Sequence, residues 1–249
     1  MANSEKRAAS PSKAAKALTP LTDKARIARI LAGLQTQYGG MSTALHYGNP
    51  FELLIAVMLS AQTTDVYVNK VTPRLFERFP TPEAMALATV EAIEGLIAGV
   101  SFFHTKAKHL ILTSQILIRE HGGIVPGDWH ALVAMPGVGR KTANVVVATA
   151  FGQPAIAVDT HVFRVSNRLG LAAAKTPEEV EKQLQKAIPQ ELWAESHHWL
   201  IWHGRKICKA PTPRCETCFL TADCRYFQTT KPVPAPRRRT KAKPSLPEA

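Results

Sequence analysis

Hydrophobic residues along the chain recur at helical spacing, and the alternation that is typical of strands is nowhere sustained. Apolar positions within residues 21–38 repeat at intervals of three and four and stop at a Gly-Gly pair, which predicts an amphipathic helix. Residues 53–59 are apolar on all sides, so the helix that contains them should be central. The pattern therefore predicts an all-α fold.

Helix starts and ends are also readable from the sequence. Three segments combine a capping residue, a proline and an acidic residue: Asn49 to Glu52, Thr81 to Glu83 and Thr176 to Glu179. Polar residues 60–65 follow directly on the apolar helix, which indicates the lip of a pocket. We expect the next helix to be kinked or restarted at Pro73, because proline lacks an N–H and crowds the preceding turn.

Residues 135–139, with the sequence MPGVG, join two short helical segments. Gly137 and Gly139 accept backbone angles closed to other residues, and Pro136 fixes its own. We interpret the segment as a helix-hairpin-helix, whose backbone N–H groups at the next helix start suit a DNA phosphate. A plain Pro-Gly turn between two packed helices is the alternative.

Lys141 and Asp159 are the candidate catalytic residues. Lys141 lies in the first turn of the helix after the hairpin, where the helix dipole and neighbouring Arg140 disfavour an ammonium group and so promote the neutral amine of a nucleophile. Asp159 immediately precedes the helical stretch 161–169. Each has an ordinary alternative role, Lys141 as a phosphate contact and Asp159 as a helix cap.

Four cysteines lie within seventeen residues near the C-terminus and nowhere else, at positions Cys208, Cys215, Cys218 and Cys224. Because we expect no secretion signal at the N-terminus, a metal or cluster is favoured over a disulfide framework. Zinc usually binds two compact cysteine pairs, whereas this uneven spacing modestly favours a larger iron-sulfur group.

The formal net charge of +12 indicates a polyanionic partner, but the charge is concentrated in the tails. Residues 1–24 and 225–249 together carry nine of the twelve charges, and residues 25–224 are left near +3. Net charge alone therefore does not locate a DNA-binding face. We expect residues 1–21 and 228–249 to be disordered basic arms.

The motifs PGVGRKTANVV and VDTHVFRV, with the cysteine pattern, resemble the bacterial endonuclease III family of DNA glycosylases and abasic-site lyases. The resemblance covers about residues 22–227. It implies a two-domain helix-hairpin-helix glycosylase fold, with a cleft between a six-helix domain at 43–153 and an iron-sulfur domain built from 22–42 plus 154–227. It further implies that Lys141 attacks C1′ of the damaged nucleotide, that Asp159 assists, and that the cysteines hold a [4Fe-4S] cluster.

Residues that contact DNA are also implied by the resemblance. Gln62 and Phe102 would fill, from opposite sides, the gap left by a flipped-out nucleotide. The family usually has a modest apolar residue at position 102 and glycine at position 101, so Phe102 and Ser101 are departures that bear on the opposite-base preference. The other implied DNA contacts are Pro136, Gly137, Val138, Gly139, Arg140 and His161.

These observations predict a bifunctional base excision repair enzyme that removes oxidised pyrimidines through a lysine Schiff base and cleaves the strand by β-elimination. The expected partner is duplex DNA with a damaged base or an abasic site, and we expect a monomer in the bacterial cytoplasm, associated with the nucleoid and not with a membrane. Two alternatives remain. One is a monofunctional adenine-mispair glycosylase, which lacks the nucleophilic lysine, and the other is a non-enzymatic DNA-binding protein with a structural metal.

Overall fold

The computed structural model describes residues 19–230, and within this range every regular element is helical. The all-α prediction is confirmed. Two 3₁₀ turns, Gln190–Leu192 and Cys215–Thr217, accompany the α-helices. In chain order the α-helices are α1 (Lys24–Tyr38), α2 (Pro50–Leu59), α3 (Asp65–Arg78), α4 (Pro82–Ala86), α5 (Val90–Ile97), α6 (Phe103–His121), α7 (Trp129–Val133), α8 (Arg140–Phe151), α9 (Thr160–Leu169), α10 (Pro177–Ala187), α11 (Trp193–Lys206) and α12 (Arg225–Thr230).

The predicted caps are formed at the helix starts. Asn49 accepts a hydrogen bond from the backbone N–H of Glu52 at 2.9 Å, and threonine side chains cap α4 and α10 in the same way. Helix α3 begins at Asp65 and is capped by Thr64, but it continues through Pro73 to Arg78 without a break. Helix α3 therefore does not restart at Pro73, and a kink there stays a prediction.

Helix α2 lies at the centre of the first hydrophobic core, as its all-round apolar sequence predicts. Every residue of α2 after Pro50 except Glu52 is buried, and α2 packs against α3, α6 and α8. Residues 43–153 contain seven helical segments, one more than the resemblance implied. The count includes two five-residue helices, α4 and α7, which Thr81 and Asp128 cap.

A second hydrophobic core contains α1, α9, α10 and α11. The extended segment 154–158 runs between the two cores, with Ala155 and Ala157 in the first and Ile156 and Val158 in the second. This alternation is that of an extended chain whose successive side chains point in opposite directions. The two cores support the domain division that we propose from the sequence, with the seam along this segment.

The predicted arms fall largely outside the described residues, at 1–18 and 231–249. The last part of the expected N-terminal arm makes contacts, because the Leu21 N–H donates to the Gly170 carbonyl at 2.8 Å and Arg225 Nη1 donates to the Thr19 carbonyl at 2.6 Å. Residues 228–230, predicted as tail, belong to α12. Between residues 19 and 230, no helix is both long and apolar enough to cross a membrane.

Candidate active site

A cleft of about 1110 Å³ opens between the two cores. Its walls come from both sides of the seam: the loop after α2 and the start of α3 on one side, and α9 and α11 on the other. Four of the residues singled out in the sequence line this cleft, namely Gln62, Lys141, Asp159 and His161. The fold thus brings Lys141 and Asp159, which are eighteen positions apart, to one cavity.

Lys141 is half-buried in the cleft, near the start of α8. Burial is the main influence on its side chain and lowers the pKa of Lys141 below its usual value. The charges of Asp159 and Asp65 raise this pKa, whereas the charge of Arg205 lowers it. A lowered pKa increases the fraction of neutral amine, which is the form that can attack an electrophilic carbon.

Arg140 does not have the role in tuning Lys141 that the sequence suggested. Its Nε and Nη2 each donate to the Glu181 carboxylate at 2.7 Å, and its guanidinium lies 5.1 Å from the ring centroid of Trp129. The cation that lowers the pKa of Lys141 is Arg205 instead. The expectation for Arg140 was wrong because its side chain is paired with a carboxylate on α10.

Asp159 caps a helix and also lines the cleft. Its Oδ1 accepts a hydrogen bond from the Val162 N–H at 2.7 Å, so the residue caps α9. The same side chain lines the cleft and acts electrostatically on Lys141. The described hydrogen bonds of its carboxylate involve Oδ1 alone. Oδ2 can therefore face the cleft while Oδ1 caps α9.

An ion pair between Asp65 and Arg205 joins the two walls of the cleft. Asp65 Oδ2 lies 2.5 Å from Arg205 Nη2, and the pair connects the first turn of α3 with the last turn of α11. In the sequence Asp65 belongs to the polar residues 60–65 that indicated a pocket lip, and Thr64 beside it caps α3. No local pattern links two residues that are 140 positions apart in the chain, and the pair was missed.

Three histidines line the same cleft, namely His161, His197 and His198. Burial lowers the pKa of His161, and it lowers the pKa of His197 to about 3. His197 Nδ1 lies 2.7 Å from the Ala157 carbonyl, to which it donates as a neutral ring. His161 packs so closely on Gly204 that a Cβ at Gly204 would lie 3.0 Å from its ring. His197 was not identified from the sequence, although its position in a His-His pair was a visible signal.

Gln62 and Phe102 lie on neighbouring loops and share an unusual backbone. In residues 19–230 they are the two non-glycine residues with a positive φ, 56° for Gln62 and 59° for Phe102. Gln62 is exposed and lines the cleft, while Phe102 is 65% exposed and stands outside the cleft lining. Phe102 is therefore not a core residue. Ser101 has no positive φ, so its departure from glycine introduces no backbone strain.

The hairpin between α7 and α8 has the predicted form. Gly137 has a φ of 78°, and a Cβ there would lie 2.7 Å from His109 Nδ1. The Pro136 carbonyl accepts a hydrogen bond from Thr113 at 2.9 Å, and Val138 is buried. Gly139 precedes α8 without any side-chain cap and is surrounded by open space. The hairpin thus presents an uncapped helix N-terminus outside the cleft.

The four cysteines are free thiols that line one cavity beside α9 and α11. Burial raises the pKa of Cys218 to about 11 and also raises that of Cys224, so these thiols need nearby positive charge to act as thiolate ligands. Arg168 Nη1 donates to Cys208 Sγ at 3.5 Å. Among the described residues no three His, Cys, Asp or Glu side chains are grouped to hold a single metal ion. Four thiols around a cavity suit a larger cluster.

Comparison with known proteins relates the fold and the cleft to a family of repair proteins. Residues 55–190 match the family described as HhH-GPD superfamily base excision DNA repair protein. Endonuclease III of Escherichia coli strain K12 is 49% identical over 204 residues, covering 82% of this chain and 97% of the relative. Endonuclease III of Bacillus subtilis strain 168 is 50% identical over 185 residues, covering 74% of this chain and 84% of the relative.

A solved structure gives the same relationship in three dimensions. It is described as a trapped endonuclease III–DNA covalent intermediate in an estranged-adenine complex, and it superimposes with a TM-score of 0.80 at 45% identity. The match covers 84% of this chain and 99% of that one. A non-covalent endonuclease III–DNA complex matches equally well, with a TM-score of 0.80 at 46% identity.

Proposed function

The chain belongs to the endonuclease III family of the HhH-GPD superfamily, and from this premise we propose that Lys141 and Asp159 are its catalytic pair. The protein is a bifunctional DNA glycosylase and abasic-site lyase of base excision repair. The adenine-mispair glycosylase and the non-enzymatic DNA-binding protein are not favoured, because nearly half of the residues are identical to endonuclease III over most of the chain.

The observation that supports this assignment best is the half-buried amine of Lys141 in the interdomain cleft, with a lowered pKa and a carboxylate beside it. The neutral amine attacks C1′ of a flipped-out nucleotide, and the bond between C1′ and the base breaks as the base leaves with the bonding electrons. The attached amine loses a proton, the C1′–O4′ bond breaks and O4′ takes up a proton, so the sugar ring opens and the adduct becomes a protonated Schiff base. Loss of a proton from C2′ then expels the 3′-phosphate, which cleaves the strand by β-elimination.

Asp159 would assist by its negative charge. Because its Oδ1 is committed to the cap of α9, the side chain is held in one orientation with its charge next to Lys141. Positive charge develops on the sugar as the base leaves, and a fixed carboxylate stabilises it without reorganising during the reaction. The same charge raises the pKa of Lys141, so burial is needed to keep part of the amine neutral.

Duplex DNA would lie across the seam. One set of residues would contact its phosphate backbone, and another would fill the gap left by the flipped-out nucleotide. The uncapped N–H groups that follow Gly139 suit a phosphate, and such contacts position the protein without reading sequence. Gln62 and Phe102 project from exposed loops and would fill the space of the flipped nucleotide. Phe102 can also stack on the unpaired base. His161 would contribute a neutral polar contact inside the cleft.

The preferred substrate that we propose is an oxidised pyrimidine in duplex DNA, processed by a monomer at the bacterial nucleoid. A panel of duplexes that each carry one oxidised pyrimidine, adenine mispair or abasic site tests this preference. Rapid excision of adenine from a mispair, with no excision of oxidised pyrimidines, would contradict it.

Cys208, Cys215, Cys218 and Cys224 would hold a [4Fe-4S] cluster, because all four line one cavity and are free of disulfides. When bound, the cluster supplies cross-links that stabilise the loop rather than a step of the reaction. Purified protein should be yellow-brown and contain about four irons per chain. Stoichiometric zinc without iron in protein prepared anaerobically would contradict this assignment.

Borohydride trapping tests the central assignment. Wild-type protein should become covalently linked to DNA with an abasic site, since borohydride reduces the Schiff base. Lys141→Gln should abolish trapping but retain duplex binding, and Lys186→Gln, which removes an exposed lysine of α10 outside the cleft lining, is the matched control. Normal trapping by folded Lys141→Gln protein would show that another amine is the nucleophile.

A further inference from the structure

The loops that carry Gln62 and Phe102 are bonded to each other through Ser101. Ser101 Oγ donates to the Gln62 carbonyl at 2.7 Å, and the Ser101 N–H donates to Thr63 Oγ1 at 3.1 Å. The carbonyl that accepts the first bond belongs to one left-handed residue, and the donor immediately precedes the other, Phe102. A glycine at position 101 would lack the hydroxyl, so the first of these bonds depends on the serine.

Lys106 donates hydrogen bonds to the same loop. It lies in the first turns of α6, is only 9% exposed, and donates from Nζ to the carbonyls of Leu59 at 2.8 Å and Ala61 at 2.6 Å. These carbonyls stand at the C-terminal end of α2, where helices leave carbonyl groups without intrahelical partners. Burial lowers the pKa of Lys106 to about 8, and it has no carboxylate partner in the described range.

The backbone geometry explains why such bonds are needed. Left-handed conformations are unfavourable for residues with a Cβ, because the side chain crowds the backbone. They persist only where surrounding contacts determine them, and they are concentrated at functional sites. Gln62 and Phe102 both adopt this conformation, and the residue between them in the bonded network is Ser101.

We propose that Ser101 and Lys106 form a clamp that holds the loops of Gln62 and Phe102 as one unit for entry into the duplex gap. The proposal rests on the proposed roles of Gln62 and Phe102 in filling that gap. Ser101 and Lys106 are positioning residues, since they act through the loops and lie outside the lining of the cleft that contains Lys141.

The test compares Ser101→Ala with Ser114→Ala, a control that also removes one hydroxyl associated with α6. Ser114 Oγ bonds only within its helix, to the Leu110 carbonyl. Ser101→Ala should slow excision from a lesion duplex by roughly three- to tenfold, which is the effect of one lost neutral hydrogen bond. The loss should be smaller for cleavage of single-stranded abasic DNA, which has no gap to fill. In a double variant with Phe102→Ala, Ser101→Ala should reduce excision little beyond the effect of Phe102→Ala alone, because the clamp acts through that loop.

A second measurement reports the position of the loops directly. A fluorescent base, 2-aminopurine, is placed opposite an abasic-site analogue in a duplex, and its emission is recorded at saturating protein. Ser101→Ala should reduce the emission change seen with wild-type protein, and Ser114→Ala should not. Lys106→Met should behave as Ser101→Ala does, and if Lys106→Met protein does not fold, the Ser101 variants decide the question.

The outcomes separate the clamp from the gap-filling roles. If Phe102→Ala and Gln62→Ala impair excision from duplex DNA but Ser101→Ala behaves as Ser114→Ala does, the clamp is wrong and the gap-filling roles stand. Equal losses by Ser101→Ala on duplex and single-stranded substrates would also contradict the clamp. If neither Phe102→Ala nor Gln62→Ala affects duplex excision, the gap-filling roles fail and the clamp fails with them.

Discussion

The pKa of Lys141, the proposed nucleophile, depends on a balance of burial and nearby charge. Burial lowers its pKa, and three charged side chains modify this effect: Asp159 and Asp65 raise the pKa, and Arg205 lowers it. Asp65 and Arg205 form an ion pair, so their opposite effects on Lys141 partly cancel. The pKa of Lys141 therefore depends on both partners of the ion pair. Loss of either Asp65 or Arg205 should shift this pKa in a defined direction.

Breaking the ion pair should shift the pH dependence of Schiff-base trapping. Arg205→Gln removes the cation, so the Lys141 pKa rises and the acid limb moves to higher pH. Asp65→Asn removes the anion and should move the limb to lower pH, while the double variant should lie close to wild type. Each single shift should be roughly half to one pH unit, the effect of losing one nearby charge in partly solvated surroundings.

Arg29→Gln serves as the control for these variants, because it breaks an ion pair with Asp223 that lies outside the cleft lining. Its profile should match wild type. Shifts of Arg205→Gln and Asp65→Asn in the same direction would show that structural disruption, rather than charge, controls the profile.

Asp159→Asn should separate the catalytic role of Asp159 from its role as a cap. Asparagine is as good an N-cap as aspartate, so thermal stability should be retained. Base excision in single-turnover experiments should fall by about a hundredfold or more, the effect of losing a catalytic carboxylate. Cleavage of a preformed abasic site should suffer less, because the base has already left. Unchanged excision by the folded variant would show that Asp159 acts only as the N-cap of α9.

At the scale of elements, the hairpin turns the chain from α7 into the start of α8. The left-handed backbone at Gly137 turns the chain between α7 and α8, and the side chain of His109 fills the space beside it. Gly139 has a φ of −87°, which other residues also adopt, and no neighbouring atom would crowd a Cβ at this position. The backbone conformation at position 137 therefore favours glycine. At position 139 a glycine leaves the N-terminus of α8 accessible.

Gly137→Ala should destabilise the protein by about 1–2 kcal/mol, because the new methyl group meets both a left-handed backbone and the His109 ring. Gly139→Ser is the matched control and should keep stability, since serine is a preferred N-cap. Thermal or urea unfolding measures both. Equal stability of the two variants would show that the hairpin tolerates a side chain at Gly137.

At the scale of the whole molecule, we expect charge outside the described residues to affect DNA affinity. Residues 231–249 contain six lysines and arginines and one glutamate, beyond the end of α12 at Thr230. Each phosphate neutralised on duplex DNA contributes a slope of about 0.9 in log affinity against log salt. Such contacts carry no information about the base.

Deleting residues 231–249 should therefore flatten the salt dependence of duplex binding by about two to four units of slope, if only part of the six cations engage phosphates. The ratio of affinities for lesion and intact duplex should change little. Fluorescence anisotropy over a range of salt concentrations measures both quantities. A deletion variant with the parent slope would contradict DNA contact by this segment.

The sequence by itself determined the features that depend on neighbours along the chain. Helix caps such as Asn49, the turn at Gly137 and the buried character of α2 follow from local sterics, hydrogen bonding and periodicity, and the structure confirms them. Pro73 lies inside α3, so the restart that the local sequence allowed does not occur.

Only the tertiary structure decided which side chains meet. The pairing of Asp65 with Arg205, of Arg140 with Glu181, and of Ser101 with the Gln62 loop joins residues between 39 and 140 positions apart. Periodicity specifies which face of a helix is buried but not the angle and depth at which helices pack, and these set distances of a few ångströms between polar groups. The sequence therefore identified Lys141 and Asp159 as candidates, whereas only the tertiary structure placed the charges of Asp65 and Arg205 near Lys141.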